Sequence, residues 1–344
     1  MKGIAQRLLF ALTISAGVLC ANGQDSQQAP EKRLGVFSIH FENDLFNGTD
    51  RWNTSNQQIS YAFTPKHTWE DTVLPFWMSA PARWIPWMNA PDAQKIVGIT
   101  AGQQFFTPTT KMQPVPDPAQ RPYAGWLYAN LSWVAQTQKT RDILQLSLGV
   151  VGPWALGKET QDFAHDHLAH VEKFLGWDYQ LPNEPAIVIA YERTWRVAQG
   201  DFGENFTWDF LPSAGIVVGN VFDYVNAGFM LRAGWRLPDD FGPQTMHPAE
   251  LTAPAFSAHA SDLSIYGFFG AEGRAIARNI FLDGSTFKDS PSIAKRYAVA
   301  EVQAGLALRY QRVSFIFSQV FRTEEFRNQG RPQWFCSARL NIEF

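Results

Sequence analysis

The sequence has very little cysteine and no long apolar run, and these two absences exclude several classes of protein. Only two cysteines occur in 344 residues, so a fold held together by disulfides is excluded. No stretch of about 18 apolar residues occurs, which excludes a membrane-spanning helix. The net charge of −3 gives no indication of a nucleic-acid partner. A Gly-x-Ser-x-Gly motif is also absent, which argues against an ordinary serine esterase.

The N-terminus has the pattern of an export signal. Lys2 and Arg7 form a basic start, residues 8–19 are apolar, and small residues follow at 21–23. The apolar part is shorter than the roughly 20 residues that a spanning helix needs. We therefore predict that residues 1–23 are a signal peptide and that the remaining chain is exported.

The aromatic content is high although the mean hydropathy is low. Aromatic residues make up 14% of the chain, with 13 Trp and 27 Phe, whereas the mean hydropathy is −0.21. A transmembrane β-barrel combines these properties because half of each strand faces lipid and the other half faces a polar interior.

The end of the sequence alternates strictly between apolar and mostly polar residues. The apolar positions are Trp334, Cys336, Ala338, Leu340, Ile342 and Phe344. This period of two predicts an amphipathic strand. The terminal Phe344 resembles the last aromatic residue by which the barrel-assembly machinery recognises outer-membrane proteins. An amphipathic strand of a soluble β-protein is the alternative interpretation.

The same alternation recurs along the chain and predicts twelve strands. The predicted ranges are 34–43, 56–64, 95–106, 123–137, 141–151, 186–198, 206–219, 226–236, 263–276, 297–310, 313–322 and 334–344. Most are near the nine to eleven residues of a tilted spanning strand, and an even number lets a single chain close. We predict an all-β fold: residues 24–344 form one twelve-stranded antiparallel transmembrane β-barrel. Arg and Glu within the strands should face the lumen.

The connections between predicted strands differ in character. With the N-terminus in the periplasm, the extracellular connections are 44–55, 107–122, 152–185, 220–225, 277–296 and 323–333. Residues 158–175 lack Pro and Gly and predict a short helix in one of these loops. Residues 65–94 and 237–262 are long for periplasmic turns. Residues 65–94 are rich in Trp and Pro, which is typical of a segment on a membrane surface.

His165 on the predicted helix is a candidate general base. Gln161 and Glu172 lie four residues before it and seven after it, so both share its helical face. A histidine oriented by a carboxylate suits proton transfer near neutral pH. A solvated loop histidine is the alternative. His167 and His170 suggest zinc, but helical spacing separates His165 from His167 by about 200°.

Asn43 and Asp44 end the first predicted strand. In a regular strand their side chains would point to opposite faces, so a site using both requires the strand to end or bulge there. Their oxygens suit Ca²⁺, which takes about six to eight oxygen ligands. A simple turn through Asn47-Gly48 is the alternative. Thr54 and Ser55 open the next strand and lie across the hairpin from Asn43.

An ordered set of short motifs runs through most of the chain. They are Phe41-Glu42-Asn43-Asp44, Gly48-Thr49-Asp50-Arg51 with Thr54, Arg121-Pro122-Tyr123-Ala124-Gly125-Trp126, Gly149-Val150-Val151-Gly152-Pro153, Gln161, Ala164-His165, Gly176-Trp177-Asp178-Tyr179-Gln180-Leu181, Asn183-Glu184-Pro185 and Arg322-Thr323-Glu324-Glu325-Phe326. With these motifs the sequence resembles the lipid A 3′-O-deacylases, the LpxR-type outer-membrane barrels.

The resemblance implies a function and a role for each candidate residue. It implies Ca²⁺-dependent hydrolysis of an acyl ester on the lipid A of lipopolysaccharide. His165 matches the general base, and Asn43 and Asp44 match the metal and oxyanion region. Thr54 matches the polar residue opposite Asn43 and Asp44. Gln161 matches the family's glutamine one turn before the histidine. Glu172 matches the glutamate after the histidine, with a spacing one residue longer.

The resemblance also implies where the protein acts. We expect a monomer in the bacterial outer membrane, with an active site that faces the outer leaflet. Two other functions remain open. One is a non-enzymatic barrel, either a narrow channel or a surface-binding protein, and the other is a phospholipase acting on other outer-leaflet lipids.

Overall fold

Thirteen antiparallel strands make up most of the molecule. The computed structural model describes residues 35–44, 52–110, 112–169, 172–243 and 263–344, so the predicted signal peptide lies outside the described residues. The strands are β1 (Gly35–Asn43), β2 (Trp52–Phe63), β3 (Gln94–Thr107), β4 (Ala124–Gln136), β5 (Thr140–Val151), β6 (Glu184–Trp195), β7 (Ala198–Asp201), β8 (Phe206–Gly219), β9 (Phe222–Trp235), β10 (Ser264–Asn279), β11 (Ala298–Tyr310), β12 (Val313–Arg322) and β13 (Gln333–Glu343).

Twelve of these strands form a closed barrel. Each pairs with its neighbour in sequence, β1 pairs with β13, and β6 pairs with β8 to complete the wall. The short β7 follows β6 and pairs only with β8, beside residues 207–210 at the start of that strand. The predicted twelve-stranded barrel is therefore confirmed, with β7 as an addition. In the part of the chain that the structure describes, no helix is long and apolar enough to cross a membrane.

The two ends of the barrel differ. One end, here called the loop end, carries the connections after β1, β3, β5, β8, β10 and β12. The other, here called the turn end, carries the tight turns at 137–139 and 311–312. All six connections predicted to be extracellular therefore share the loop end. Residues 64–93 are an insertion at the turn end, as expected from the sequence.

Side chains alternate between the lumen and the outer face. On β1, Ser38 and His40 are buried, whereas Ile39 between them is exposed. Glu301 and Arg322 face the lumen as predicted, whereas Arg193 of β6 lies on the outer face with the exposed Ile189, so for Arg193 the prediction is wrong. Arg322 bonds Glu301 at 2.8 Å inside the barrel, and both residues are buried. This pairing offsets much of the cost of removing the two charges from water.

Aromatic side chains fill the lumen at both ends. At the loop end, Phe281 is fully buried and its ring lies 4.3 Å from that of Phe106. At the turn end, Phe241 is buried, with the guanidinium of Arg196 4.7 Å from its ring centre. The predicted long loop 237–262 thus begins by entering the lumen. Its residues 244–262 lie outside the described residues.

The helices are short. They are α1 (Ala80–Arg83), α2 (Gly157–Ala164) and α3 (Ile280–Asp283), with 3₁₀ turns at Phe76–Ser79, Pro86–Asn89, Pro153–Ala155 and Gly176–Tyr179 and a π turn at His165–Ala169. The loop helix therefore starts at Gly157, one residue before the predicted start. The prediction that it reaches residue 175 is wrong. Residues 172–175 are not helical because the chain folds back there, bringing Glu172 onto the His165 ring.

Candidate active site

The first candidate residues lie where β1 ends at the loop end of the barrel. Asn43 is the last residue of the strand, and Asp44 follows in a bend. Asp44 is fully buried, whereas Asn43 is half-buried on the outer face. Burial continues to alternate up to the bend, with Glu42 and Asp44 buried and Asn43 between them half-buried.

Thr54 lies at an irregularity in the neighbouring strand. In the ladder between β2 and β3, Asn53 pairs with Phe106 and Ser55 pairs with Phe105. Thr54 is thus the extra residue of a β-bulge. Bulges re-aim side chains at barrel rims and beside active sites. Ser55 pairs with Asn43 on its other side, as predicted for this hairpin.

Helix α2 lies against the outside of the barrel wall. Gln103 and Phe105 are on the same face of β3 as the exposed Ile99, yet both are buried. The Gln103 side chain donates a hydrogen bond to the carbonyl of Ala155, just before the helix, at 2.6 Å. A Cβ at Gly157 would lie 2.8 Å from the Trp177 ring, so only glycine permits this packing.

Trp177 fixes the position of the helix. Its indole N–H donates to Gln161 Oε1 at 2.8 Å, and its ring packs with Phe105, Tyr123 and Phe174. Gln161 is buried, and its Nε2 has no hydrogen-bond partner among the described residues. A buried donor of this kind costs about 1–3 kcal/mol, which a ligand oxygen would recover.

His165 is buried one turn after Gln161. Its Nδ1 lies 2.9 Å from the backbone carbonyl of Glu172. A carbonyl oxygen only accepts hydrogen bonds, so Nδ1 must carry the hydrogen, and Nε2 is the basic nitrogen of the neutral ring. The edge of Phe174 packs on the imidazole, with the ring centres 4.9 Å apart. These two contacts fix the tautomer and the orientation of the ring.

Glu172 contacts His165 differently from the sequence prediction. The predicted shared helical face does not exist, because helical structure ends at Ala169. The backbone carbonyl of Glu172 holds the imidazole, and Glu172 itself is exposed. An ion pair of 2.7 Å between Asp166 and Lys173 joins the π turn to the returning segment. The hydrogen bond from Lys173 lowers the pKa of the Asp166 carboxyl.

His167, the other described histidine of this loop, does not join His165. His167 is exposed, its ring stacks on Phe163, and its Nδ1 bonds the Phe163 carbonyl at 3.0 Å. His170 lies outside the described residues. Across the ranges that the structure describes, no three His, Cys, Asp or Glu side chains cluster closely enough to hold a metal ion.

A continuous series of contacts joins the two parts of the candidate site. Asn43 pairs with Ser55, and Ser55 pairs with Phe105. The ring centres of Phe105 and Trp177 are 6.3 Å apart, and Trp177 donates a hydrogen bond to Gln161 on the helix. Adjacent strands are about 4.8 Å apart, so these contacts cover only a short distance along the outer wall.

Two residues of this arrangement were not singled out from the sequence. Trp177 belongs to one of the motifs but has no role assigned from the sequence. Gln103 belongs to no motif and also has no assigned role. Gln103 offered a signal, because it is a polar residue at a lipid-facing position of a spanning strand. Such a residue needs a protein partner, which the Ala155 carbonyl supplies.

Comparisons with known proteins agree with this architecture. A sequence model of the family described as "Outer membrane protein LpxR" matches residues 8–344. The solved structure of LpxR from Salmonella typhimurium is similar, with a TM-score of 0.73 and 20% identity over 90% of this chain and 100% of that one.

A more distant likeness is the β domain of the Bordetella autotransporter BrkA, with a TM-score of 0.44 and 8% identity over 91% of this chain and 100% of that one. No curated protein matches the sequence significantly.

Proposed function

The chain belongs to the LpxR family of outer-membrane proteins, and from this premise we propose that it is an ester hydrolase that removes an acyl chain from lipid A. The observation that carries the proposal is the buried His165, whose ring is held by a carbonyl on the outer face of the barrel. Lipid A is the membrane-embedded part of lipopolysaccharide. A base on the lipid-facing side of the wall can reach such a substrate without extracting it.

His165 would act as the general base. Its Nε2 would take a proton from water while the water oxygen bonds to the acyl carbon of the ester. The C–O bond to the sugar would then break, and His165 would return the proton to the departing sugar oxygen. The fixed tautomer supports this role because only Nε2 needs to exchange a proton.

Gln161 and the end of β1 would stabilise the oxyanion that forms during the attack. The buried Gln161 Nε2 is a suitable donor, since an ester oxygen would satisfy it. Asn43 and Asp44 provide oxygen donors of the kind that Ca²⁺ prefers, and backbone carbonyls or water would complete the set. Bound Ca²⁺ would supply positive charge beside the oxyanion. Thr54, at the bulge opposite, would contribute its hydroxyl to substrate binding.

The surroundings of the site suit a lipid substrate. Leu156, Phe163 and Tyr179 expose apolar surface on and around α2. Below them, Ile39 and Ile59 form an exposed apolar strip on β1 and β2. An acyl chain could lie along this strip while its ester reaches the helix. These features support a substrate that remains in the membrane.

The contents of the lumen argue against the channel alternative. Phe281 and Phe241 occupy the lumen at its two ends, and a cavity of about 60 Å³ beside Arg141 and Glu192 has room for only a few water molecules. A phospholipase would use the same chemistry on a different lipid, so only the identity of the released products separates it from a lipid A hydrolase.

Replacing His165 tests the proposal directly. We expect His165→Ala to lower acyl release from lipopolysaccharide by about 10²–10⁴-fold, because general base catalysis contributes that much. His167→Ala is the matched control, since this exposed imidazole lies two residues away, and it should retain activity. Mass spectrometry of lipid A and phospholipids from cells making each variant measures both outcomes.

Two results would contradict the proposal. Full activity of His165→Ala would exclude this residue as the base. Release of fatty acid from phospholipid, with lipid A unchanged, would identify a phospholipase. Chelation of Ca²⁺ followed by its return tests the metal separately, and we expect activity to be lost and then restored. Glu172→Ala should remain active, because the backbone carbonyl rather than the carboxylate contacts His165.

A further inference from the structure

The insertion between β2 and β3 lies on the outside of the barrel. Residues 64–93, here called the strap, contain α1 and two 3₁₀ turns and start with a bridge between Lys66 and Lys95. The strap covers Trp133 and Ala135, which are on the same face of β4 as the exposed Leu127. Since that face of the wall points away from the lumen, the strap occupies space that lipid would otherwise fill at the turn end.

The inner side of the strap is firmly attached to the wall. Trp69, Ala82 and Met88 of the strap are buried against Val97 and Trp133 of the wall. The Trp133 indole also donates a hydrogen bond to the Met78 carbonyl at 3.1 Å. The strap is therefore a fixed part of the structure, and the orientation of its outer side is defined.

A polar cluster lies beneath the strap. Asp142 is an outward-facing residue of β5, yet it is almost completely buried. It accepts a hydrogen bond from the Tyr191 hydroxyl and pairs with Arg193 at 3.6 Å. The Trp87 indole N–H of the strap donates to the same Tyr191 hydroxyl at 2.5 Å. A carboxylate on the outer wall would be costly against lipid, and here protein covers it.

The outer side of the strap exposes large apolar side chains. Trp77 is 71% exposed and Trp84 is 80% exposed, and Val73, Phe76 and Trp87 are also exposed. Few folded proteins leave so many tryptophans together in water without a partner. Tryptophan is also the residue most typical of the boundary between lipid headgroups and acyl chains.

The stretch of the strap that carries the exposed tryptophans has almost no charge. Arg83 is the single charged residue between positions 73 and 91. Its guanidinium lies over the Phe76 ring at 4.0 Å and faces Glu70 at 3.5 Å. The surface therefore offers no cluster of basic groups for anionic headgroups. Its chemistry fits a zwitterionic phospholipid, held by apolar contact.

The apolar surface of the strap continues into the bare wall. On β3, Val97 is covered by the strap, whereas Ile99 is exposed. On β6, Tyr191 packs against the strap, whereas Ile189 is exposed. We propose that the strap lies in the headgroup–acyl boundary of the leaflet at the turn end and binds zwitterionic phospholipid through Trp77 and Trp84.

Spin labels on the full-length protein in phosphatidylcholine vesicles test this proposal. With both cysteines replaced by serine, labels are attached to Trp77→Cys and Trp84→Cys. Ile189→Cys is the control for lipid exposure, and Asp71→Cys and Asp92→Cys are the controls for water exposure on the strap itself. Collisions with oxygen, which concentrates in lipid, and with a water-soluble nickel chelate are measured at each label. Circular dichroism checks that every variant retains its strands.

We expect labels 77 and 84 to resemble label 189, with an oxygen-to-nickel collision ratio at least about threefold above that of labels 71 and 92. The ratio should be the same at about 0.1 and 1 M NaCl, because apolar contact is not screened. Nickel collisions as frequent as at labels 71 and 92 would overturn the proposal. Low collision rates with both reagents would also overturn it, by indicating that another protein covers the strap.

Discussion

At the scale of single residues, the candidate site depends on which atom of each side chain is held. His165 is oriented by a backbone carbonyl, so its tautomer is set without a carboxylate. Gln161 has its oxygen occupied by Trp177, whereas its nitrogen has no partner among the described residues. A basic nitrogen and a hydrogen-bond donor are thus presented by the π turn and by α2, respectively.

An isosteric change at Gln161 separates these two atoms. In Gln161→Glu the acceptor for Trp177 remains, but the Nε2 donor is replaced by oxygen. We expect the rate of ester hydrolysis to fall by about 10²–10³-fold, as for the loss of an oxyanion donor. Steady-state assays on lipopolysaccharide measure this effect. The exposed neighbour Glu159→Gln is the control, and equal activity of the two variants would remove Gln161 from the mechanism.

At the scale of elements, two segments pack on the outside of the barrel. Helix α2 and its following turns cover β3 at the loop end, and the strap covers β4 to β6 at the turn end. Each attaches through a polar group on the outer wall, Gln103 in the first case and Tyr191 in the second. Such groups act as specific anchors, because lipid cannot satisfy their hydrogen bonds.

The strap anchor can be tested by a matched pair of tryptophan variants. Trp87→Phe removes the hydrogen bond to Tyr191, and we expect the free energy of unfolding to fall by about 1 kcal/mol. Trp84→Phe removes an exposed indole and should change it by less than about 0.5 kcal/mol. Urea unfolding in detergent measures both values. A larger loss for Trp84→Phe would mean that the anchor is elsewhere.

At the scale of the whole molecule, the barrel is a closed wall with a filled interior. Asp209 pairs with Arg232 at 2.5 Å near the turn end, and Glu301 bonds both Arg274 and Arg322 further along. Together with the aromatic residues at each end, these networks leave the lumen as a packed core.

The filled lumen predicts a very low ionic conductance. In planar bilayers we expect no discrete channel openings from the natural sequence. The double change Phe241→Ala and Phe281→Ala removes an aromatic side chain from each end and should produce measurable current. The double change Ile39→Ala and Ile59→Ala lies on the outer face and is the control. It should produce no current. Large openings from the unchanged protein would contradict a packed lumen.

The sequence by itself determined the barrel and most of the strand positions. A period of two is a local property, since each residue faces lipid or lumen according to its place in the strand. The twelve predicted ranges therefore correspond to the twelve wall strands. The end of β1 at Asn43 could also be predicted, because turn-forming residues follow it.

Only the tertiary structure decided how the outer face is used. Gln103, Asp142 and Tyr191 occupy lipid-facing positions, and the local pattern cannot say which distant segment covers them. The same limit explains Glu172, where helical spacing failed because the chain folds back to place a carbonyl on His165. Contacts between residues far apart in sequence depend on closure of the barrel, which brings the loops and the wall together.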